Sequence, residues 1–529
     1  MDNLKALLTE IVALQAGKKY LFFRDRHLTY KELDLLSNRF SRVFRELGVR
    51  KGDHVAVMLP NCPEWIACWF GLAKLGAVLV AFNTQWKADG LEYALRQADV
   101  KYILLAAEFQ GEFKKAAASP GLTAVTFDLA GGGVEIDGSH SLSRLLAGIS
   151  SEAVEGEPPK GGDPLIITYT SGTTGWPKAV VNPHRAYIAA AEDLRDYVEL
   201  NPEDIIYTSL PLYHANPQAY CVLTALVTGG SIALAERFSA SRFWQDIRAY
   251  RATAFSYVGA VLPILLSQPE REEEKGSPAK KCFGGGAPKE VHEAATRRFG
   301  LQVCELYGMS ETGTWNTINR PGKIKSGSVG QVRECFEVKV FDDQDDEVPP
   351  GRVGEIVVRP RRPFIMFSGY YKMPEETLQD SRNLWFHTGD LGKVDSEGYF
   401  YFCGRKKESI RRGGENITPY EIEKVFTDHP AVTEAAAVGV PDPILGEETK
   451  VYVVLREGRS VKPTELIETC QERLPKFMIP RFLEFVSALP KTASEKIQKV
   501  FLKSRGIGSA WDRLEEEHSI KSKDFLDRF

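Results

Sequence analysis

Residues 29–61 read TYKELDLLSNRFSRVFRELGVRKGDHVAVMLPN. Thr29-Tyr30-Lys31-Glu32 has the form of a capping box, in which the threonine oxygen and the glutamate side chain satisfy each other's free amides at a helix start. Leu33, Leu36, Phe40, Val43, Phe44 and Leu47 follow at helical spacing, and Gly48 supplies the stop. His54–Leu59 then reads as a short buried strand ended by Pro60 and Asn61. The same alternation returns at 65–82, 185–198 and 242–266. Helices alternating with buried strands specify an α/β protein with largely parallel sheets.

Outward from this core the texture changes twice. Between about 325 and 402 short strands such as Phe336–Phe341 and Gly354–Arg359 are separated by Gly, Pro and Asp turns, which predicts a β-rich subdomain. Beyond Gly404, Thr418-Pro419-Tyr420-Glu421 is a second capping box with proline at the first helical position. A helix to about Asp428, strands near Ala435–Val440 and Lys450–Leu455, a helix near Thr464–Leu474 and a strand near Phe482–Val486 should follow. The expected organisation is α/β: a large N-terminal domain, 1–404, of two α/β sheet subdomains plus the β-rich one, and a small α+β C-terminal domain, 405–529. A chain of 529 residues exceeds what one core supports, in keeping with that division.

Lys plus Arg is 67 and Asp plus Glu is 71, a net charge of −4 that argues against nucleic-acid wrapping and against a polybasic membrane anchor. The eight cysteines are scattered with no Cys-x-x-Cys and no zinc-ligand spacing, so reduced thiols are the plain reading. The N-terminal MDNLKALLTEIVALQ lacks an uninterrupted apolar core and does not read as a signal peptide. Trp65–Phe82 is the most apolar stretch, but Lys74 and Gly76 interrupt it; it reads as a buried helix and strand, not an integral membrane segment. A cytoplasmic protein is the expectation.

The chemistry is concentrated in Tyr169-Thr170-Ser171-Gly172-Thr173-Thr174-Gly175-Trp176-Pro177-Lys178. The apolar strand Leu165–Tyr169 feeds a loop of hydroxyls and glycines that ends in a cation. Glycines admit close backbone approach, hydroxyls donate, and Lys178 adds charge, a set suited to a polyphosphate. It is not a Walker loop: Ala179 follows the lysine where Ser or Thr should stand.

With this loop the chain resembles the adenylate-forming (AMP-binding) superfamily, which includes acyl-CoA synthetases, and the resemblance covers nearly its whole length. It implies ATP binding through Thr170, Ser171, Gly172, Thr173, Thr174, Gly175 and Lys178. Gly284-Gly285-Gly286-Ala287-Pro288 matches the segment that packs along adenine, placing Gly285, Gly286 and Ala287 there. In Glu305-Leu306-Tyr307-Gly308-Met309-Ser310-Glu311-Thr312, Tyr307 is similar to the residue that stacks on adenine and Glu311 to the carboxylate that holds Mg²⁺. Ser310 replaces the usual threonine and keeps its hydroxyl. Pro211-Leu212-Tyr213-His214 matches a motif whose histidine lies near the substrate carboxylate and controls entry to a thiol tunnel; a histidine beside a helix is otherwise ordinarily buried.

In the C-terminal part, Asp390 of Thr388-Gly389-Asp390 resembles the ribose carboxylate, Arg405 a ribose or phosphate ligand, and Lys407 the hinge of a mobile small domain. Gly413 and Gly414 match a loop that lines the pantetheine tunnel, and Lys496 the lysine that binds the carboxylate and α-phosphate during adenylation. Glu495 stands where the superfamily has glycine. Five cations within 405–412 could face nucleic acid, but ATP and CoA phosphates explain them with less strain.

The implied activity is an ATP-dependent acid:CoA ligase using ATP, Mg²⁺ and coenzyme A, with Lys496, His214, Glu311 and Lys178 in catalytic roles. The partners are then a small-molecule carboxylic acid, ATP and CoA, with no nucleic acid; a homodimer is left open. Asn216, Gln218, Tyr220, Ser256, Tyr257, Trp315 and Asn316 make the acyl-pocket stretches polar and bulky. That, with the closing Ser509–Arg513, is similar to the carnitine/crotonobetaine:CoA ligase branch and implies a short-chain, medium-chain or polar acid. The alternative is a stand-alone adenylating enzyme that loads a carrier-protein phosphopantetheine.

Overall fold

A computed structural model describes residues 2–116, 121–129, 138–170, 177–412, 415–417, 419–442, 445–474, 476–491 and 497–515. The chain divides into two compact units. The first comprises Met1–Lys339, Val357–Phe386 and Asp395–Tyr401; the second comprises Val340–Ile356, His387–Val394 and Phe402–Phe529.

The opening stretch folds as read. The helix Tyr30–Glu46 starts at Thr29, whose hydroxyl accepts from Glu32 N at 3.1 Å while Thr29 N donates to Glu32 Oε2 at 2.7 Å. The strand His54–Met58 pairs in parallel with Val78–Ala81 on one side and Tyr102–Ala106 on the other. Among the described residues these belong to an eight-stranded sheet. Its order is Gly369–Tyr370, Lys178–Pro183, Pro164–Thr170, Val78–Ala81, His54–Met58, Tyr102–Ala106, Thr123–Phe127, His140–Ser141. It is parallel except where Lys178–Pro183 returns antiparallel to Pro164–Thr170 and takes Gly369–Tyr370 on its outer edge. A second, nine-stranded sheet is centred on the parallel strands Ser231–Leu234, Ile205–Thr208, Ala254–Val258, Lys281–Gly285 and Gln302–Tyr307.

One core serves both sheets. The helix Pro63–Leu75 is buried along nearly all its length, with Trp65 and Trp69 edge-on at 5.7 Å, and it shares that core with Tyr187 and Leu194 of the helix His184–Val198. Burying each large apolar side chain there contributes about 2 kcal/mol, which is why a nearly all-apolar helix with a left-handed Gly76 cap is stable inside this unit. No helix among the described residues is long and apolar enough to cross a membrane.

The expected β-rich stretch carries the strands Phe336–Phe341, Gly354–Pro360, Phe386–Val394 and Phe400–Arg405, which form a four-stranded sheet in that order. It also holds a short helix, Pro374–Gln379, that its turn-rich composition hid. In the second unit the hairpin Val432–Asp442 and Gly446–Leu455 is longer than the strands expected there; Ala437, Val451 and Val453 pack on Ile422, Val425 and Phe426 of the helix Pro419–Thr427. Thr418, which would cap that helix, lies outside the described residues. All eight cysteines are buried, and none forms a disulfide.

Candidate functional site

In the first unit, three parallel strands deliver the predicted motifs at their carboxyl ends, where α/β sheets characteristically bind ligands. Pro164–Thr170 ends at Thr170, whose cross-strand partner is Lys178. Ser171, Gly172, Thr173, Thr174 and Gly175 lie outside the described residues. Lys281–Gly285 runs into the glycine segment, and Gln302–Tyr307 carries Glu305, Leu306 and Tyr307 beside it, with Gly284 opposite Glu305.

The glycine segment is held from beneath. Gly286 N and Ala287 N both donate to Glu305 Oε1, at 2.6 and 3.0 Å, and the Tyr257 hydroxyl donates to Glu305 Oε2. Gly286 has φ +99°, and a Cβ there would come within 2.8 Å of Gly259 Cα, so the backbone passes where no side chain fits. Burial lifts the Glu305 carboxyl from an ordinary 4.5 to about 7, against the opposing pull of its three donors.

Past Tyr307 the chain turns tightly. A Cβ on Gly308 would lie 2.3 Å from Trp315 Cα and 2.6 Å from Thr314 O. Met309 N donates to Thr312 Oγ1 at 3.2 Å, closing the single 3₁₀ turn Ser310–Thr312 that presents Glu311. Glu311 is buried, and its Oε1 lies 3.2 Å from the Tyr370 hydroxyl. That hydroxyl is also 3.1 Å from Asp380 Oδ2, which pairs with Lys178 Nζ at 2.9 Å, and the same ammonium sits 4.2 Å above the Tyr370 ring. One network therefore joins the two charged residues predicted from separate motifs, Lys178 and Glu311. The two residues that make the connection, Tyr370 and Asp380, were not singled out in the sequence. Burial, then Glu311 and Asp380, pushes the Tyr370 phenol far above its ordinary range, so it remains a proton donor. Glu311 offers the hard, fixed oxygen donor that suits Mg²⁺.

His214 closes the turn Pro211–His214, and its imidazole is exposed, 4.5 Å from the Tyr213 ring; it is not the buried histidine that position beside a helix would ordinarily give. A π-helix, Pro217–Leu223, follows, a rare conformation concentrated at functional positions. Much of the polarity in the predicted acyl-pocket stretches is spent internally. Gln218 bonds Tyr187 Oη and Leu212 O, Tyr220 Oη donates to Thr314 O, Ser256 meets Thr208, and the Trp315 indole donates to Ala190 O. Asn216 and Asn316 spend their amide nitrogens on the carbonyls of Tyr257 and Thr312, and their buried Oδ1 atoms find no partner among the described residues.

The second unit holds its own polar group. Gly389 N donates to Glu355 Oε1 at 3.1 Å, and Glu355 Oε2 lies 3.1 Å from His387 Nδ1 and 2.9 Å from Lys406 Nζ. Burial opposes ionisation of Glu355, but the bonds from His387 and Lys406 outweigh it and hold the carboxyl at about 2. This anion fixes the backbone of Thr388-Gly389-Asp390 within the strand Phe386–Val394. Asp390 is 2% exposed, and Arg405 Nε sits 2.8 Å from its Oδ1. Lys407 is exposed in the 3₁₀ turn Lys406–Glu408. Gly413, Gly414 and Lys496 lie outside the described residues. In the same unit a cavity of about 700 Å³ is lined by Arg412, Gln471, Lys476, Phe477, Ile479 and Arg513. Arg412 pairs with Glu448 and donates to Phe477 O, which sets the cavity's cationic wall beside an aromatic ring.

Comparison with known proteins bears on both units. Residues 8–371 match the AMP-binding enzyme family, and residues 421–496 match the AMP-binding enzyme C-terminal domain. The crotonobetaine/carnitine–CoA ligase of Salmonella paratyphi A is 32% identical over 511 residues, covering 95% of this chain and 99% of that protein. The ATP-bound structure of MatB from Rhodopseudomonas palustris superposes with a TM-score of 0.87 at 28% identity, over 95% of this chain and 98% of its own. The o-succinylbenzoate CoA synthetase of Bacillus subtilis, solved with its acyl-adenylate intermediate, gives 0.82 at 28% identity, over 94% and 97%.

Proposed function

The chain belongs to the AMP-binding enzyme family and is an acyl-CoA synthetase, and from that premise we propose a two-step reaction on a short-chain, medium-chain or polar carboxylic acid. A carboxylate is a poor electrophile because its charge is delocalised. In the first step its oxygen attacks the α-phosphorus of ATP; the P–O bond to pyrophosphate breaks, and acyl-AMP and pyrophosphate result. In the second step the CoA thiol, as thiolate, attacks the acyl carbon and AMP leaves with the bonding pair, giving acyl-CoA.

The observation that carries this reading is the joining of Lys178 and Glu311 through Tyr370, beside a glycine segment whose amides Glu305 already fixes. Phosphoryl transfer asks little covalent chemistry of a protein and much positioning and neutralisation. Lys178 supplies a cation for phosphate oxygens. Glu311 would hold Mg²⁺, which when bound neutralises charge on the phosphates. The preset loop at Gly285, Gly286 and Ala287 and the Tyr307 ring would receive adenine. Asp390, with Arg405 beside it, would take the ribose, since one carboxylate can accept from both ribose hydroxyls. Lys496 would neutralise charge developing on the α-phosphate. The cationic, aromatic-sided cavity at Arg412, Lys476, Phe477 and Arg513 supports CoA as the thiol substrate, because its nucleotide carries both phosphates and a stacking base. The buried Oδ1 atoms of Asn216 and Asn316, without a partner among the described residues, favour an acid that carries a hydrogen-bond donor over an all-hydrocarbon one.

The test is pyrophosphate release across a panel of acids, each with and without CoA, followed by mass spectrometry of the products. Acid-dependent release with an acyl-CoA product is expected, strongest for acids with a hydroxyl or ammonium substituent. Release that stops at acyl-AMP in the presence of CoA would instead assign a carrier-protein thiol as acceptor.

A further inference from the structure

We propose that Asp380 is a positioning residue for the polyphosphate of ATP: an exchangeable anion that holds the Lys178 ammonium over the Tyr370 ring until the phosphates take its place. The inference rests on the nucleotide-site reading above. It starts from the geometry at Lys178. Its Nζ is 2.9 Å from Asp380 Oδ2 and 4.2 Å from the Tyr370 ring centroid, so its position is set on two sides. The side chains of Lys178 and Asp380 are 28% and 30% exposed, so the pair stands at an open edge where an incoming ligand can exchange with it. Asp380 follows the short helix Pro374–Gln379, and Tyr370 is fixed by its register opposite Val180, two residues beyond Lys178.

The Tyr370 hydroxyl makes the exchange consequential. It has one proton and two carboxylate neighbours, Asp380 Oδ2 at 3.1 Å and Glu311 Oε1 at 3.2 Å. When Lys178 neutralises Asp380, that carboxylate is the weaker acceptor and the proton can go to Glu311. When phosphate draws Lys178 away, Asp380 becomes the stronger acceptor and the proton can turn to it, releasing an oxygen of Glu311 as the nucleotide arrives. Phosphate binding at Lys178 and exposure of a metal-binding oxygen on Glu311 are thereby coupled through one hydroxyl. In reverse, Asp380 recaptures Lys178 as pyrophosphate leaves, which assists product release.

An aspartate beside the phosphate cation competes with ATP in the free protein. Removing its charge should therefore tighten nucleotide binding, the opposite of what damage to the site would do. The experiment measures equilibrium binding of Mg·ATP and of pyrophosphate to the full-length protein, with no acid or CoA present, for wild type, Asp380→Asn, Asp380→Ser and Asp380→Glu. Asp380→Asn and Asp380→Ser should each bind Mg·ATP and pyrophosphate about three- to tenfold more tightly, the scale of a partly exposed ion pair. The gain should shrink at high salt, and Asp380→Glu should return affinity toward wild type. Unchanged or weaker binding in whichever neutral variant folds would overturn the exchange. If wild type binds no Mg·ATP, the nucleotide-site reading itself fails; if wild type binds and neither neutral variant tightens, only the role of Asp380 fails.

Discussion

At the scale of single residues, the sharpest consequence belongs to Glu305. Its carboxyl is buried beneath the glycine segment and lifted from 4.5 to about 7. Between those two values the folded protein binds a proton that the unfolded chain releases, so stability falls as pH rises through the window. The contribution is fully present below about 4.5 and lost above about 7, and is worth roughly 3 kcal/mol in total. Glu305→Gln keeps an acceptor for Gly286 N and Ala287 N but cannot ionise. Unfolding free energies of variant minus wild type should therefore climb between pH 5 and 8, and a flat difference would show that Glu305 is ionised throughout. The residue also shows what sequence could and could not convey. Glu305, Tyr307 and Glu311 stand in one contiguous motif and were legible as a group. The resemblance puts Tyr257 in an acyl-pocket stretch, whereas its hydroxyl is committed to Glu305 from the strand Ala254–Val258, across the intervening strand Lys281–Gly285. Asp380 and Tyr370 lie some two hundred residues from Lys178 and carry no motif signal. Only the pairing of Gly369–Tyr370 with Lys178–Pro183 brings them to it.

At the scale of elements, local signals proved strong wherever a cap or a period was complete. The box at Thr29, the stop at Gly48 and the strand before Pro60 were all readable because each depends on neighbours within a few residues. What escaped was set by pairing across distance. The hairpin strands Val432–Asp442 and Gly446–Leu455 extend well beyond their apolar centres because each supplies the other's backbone partners, out through charged residues such as Glu447 and Glu448. The π-helix Pro217–Leu223 has no sequence period of its own, and it follows directly on the turn that carries His214. The tightest element at the site is the return from Tyr307 to Trp315. Gly308→Ala would press a methyl group against backbone atoms at 2.3 and 2.6 Å, which cannot move like a side-chain tip. The variant should lose about 1–3 kcal/mol of stability and, because Tyr307 and Glu311 flank the strained point, should raise KM for ATP more than KM for CoA. Denaturant titration and initial-rate kinetics read the two effects separately.

At the scale of the whole molecule, one active site must serve two chemistries that want different surroundings. Adenylation needs cations on a departing pyrophosphate; thioester formation needs a path for a thiol. We propose that different residues serve the two steps, and two measurements test the division. Lys476→Ala with Arg513→Ala removes cations from the cavity at Phe477. It should raise KM for CoA about tenfold, the loss expected for charge-assisted phosphate contacts, while acid-dependent pyrophosphate release without CoA stays near wild type. Lys496 is assigned to the first step alone, because its charge is useful only while the α-phosphate is under attack. Lys496→Ala should slow acyl-AMP formation from acid and ATP by about a hundredfold or more, the cost of losing one preorganised electrostatic group. Supplied with synthetic acyl-AMP and CoA, the same variant should form thioester at close to the wild-type rate, since AMP departs from a carbonyl that Lys496 does not need to touch. Equal loss in both assays would mean that Lys496 supports the site through both steps. Loss confined to the first assay would assign the charge of Lys496 to adenylation alone and leave thioester formation to other residues.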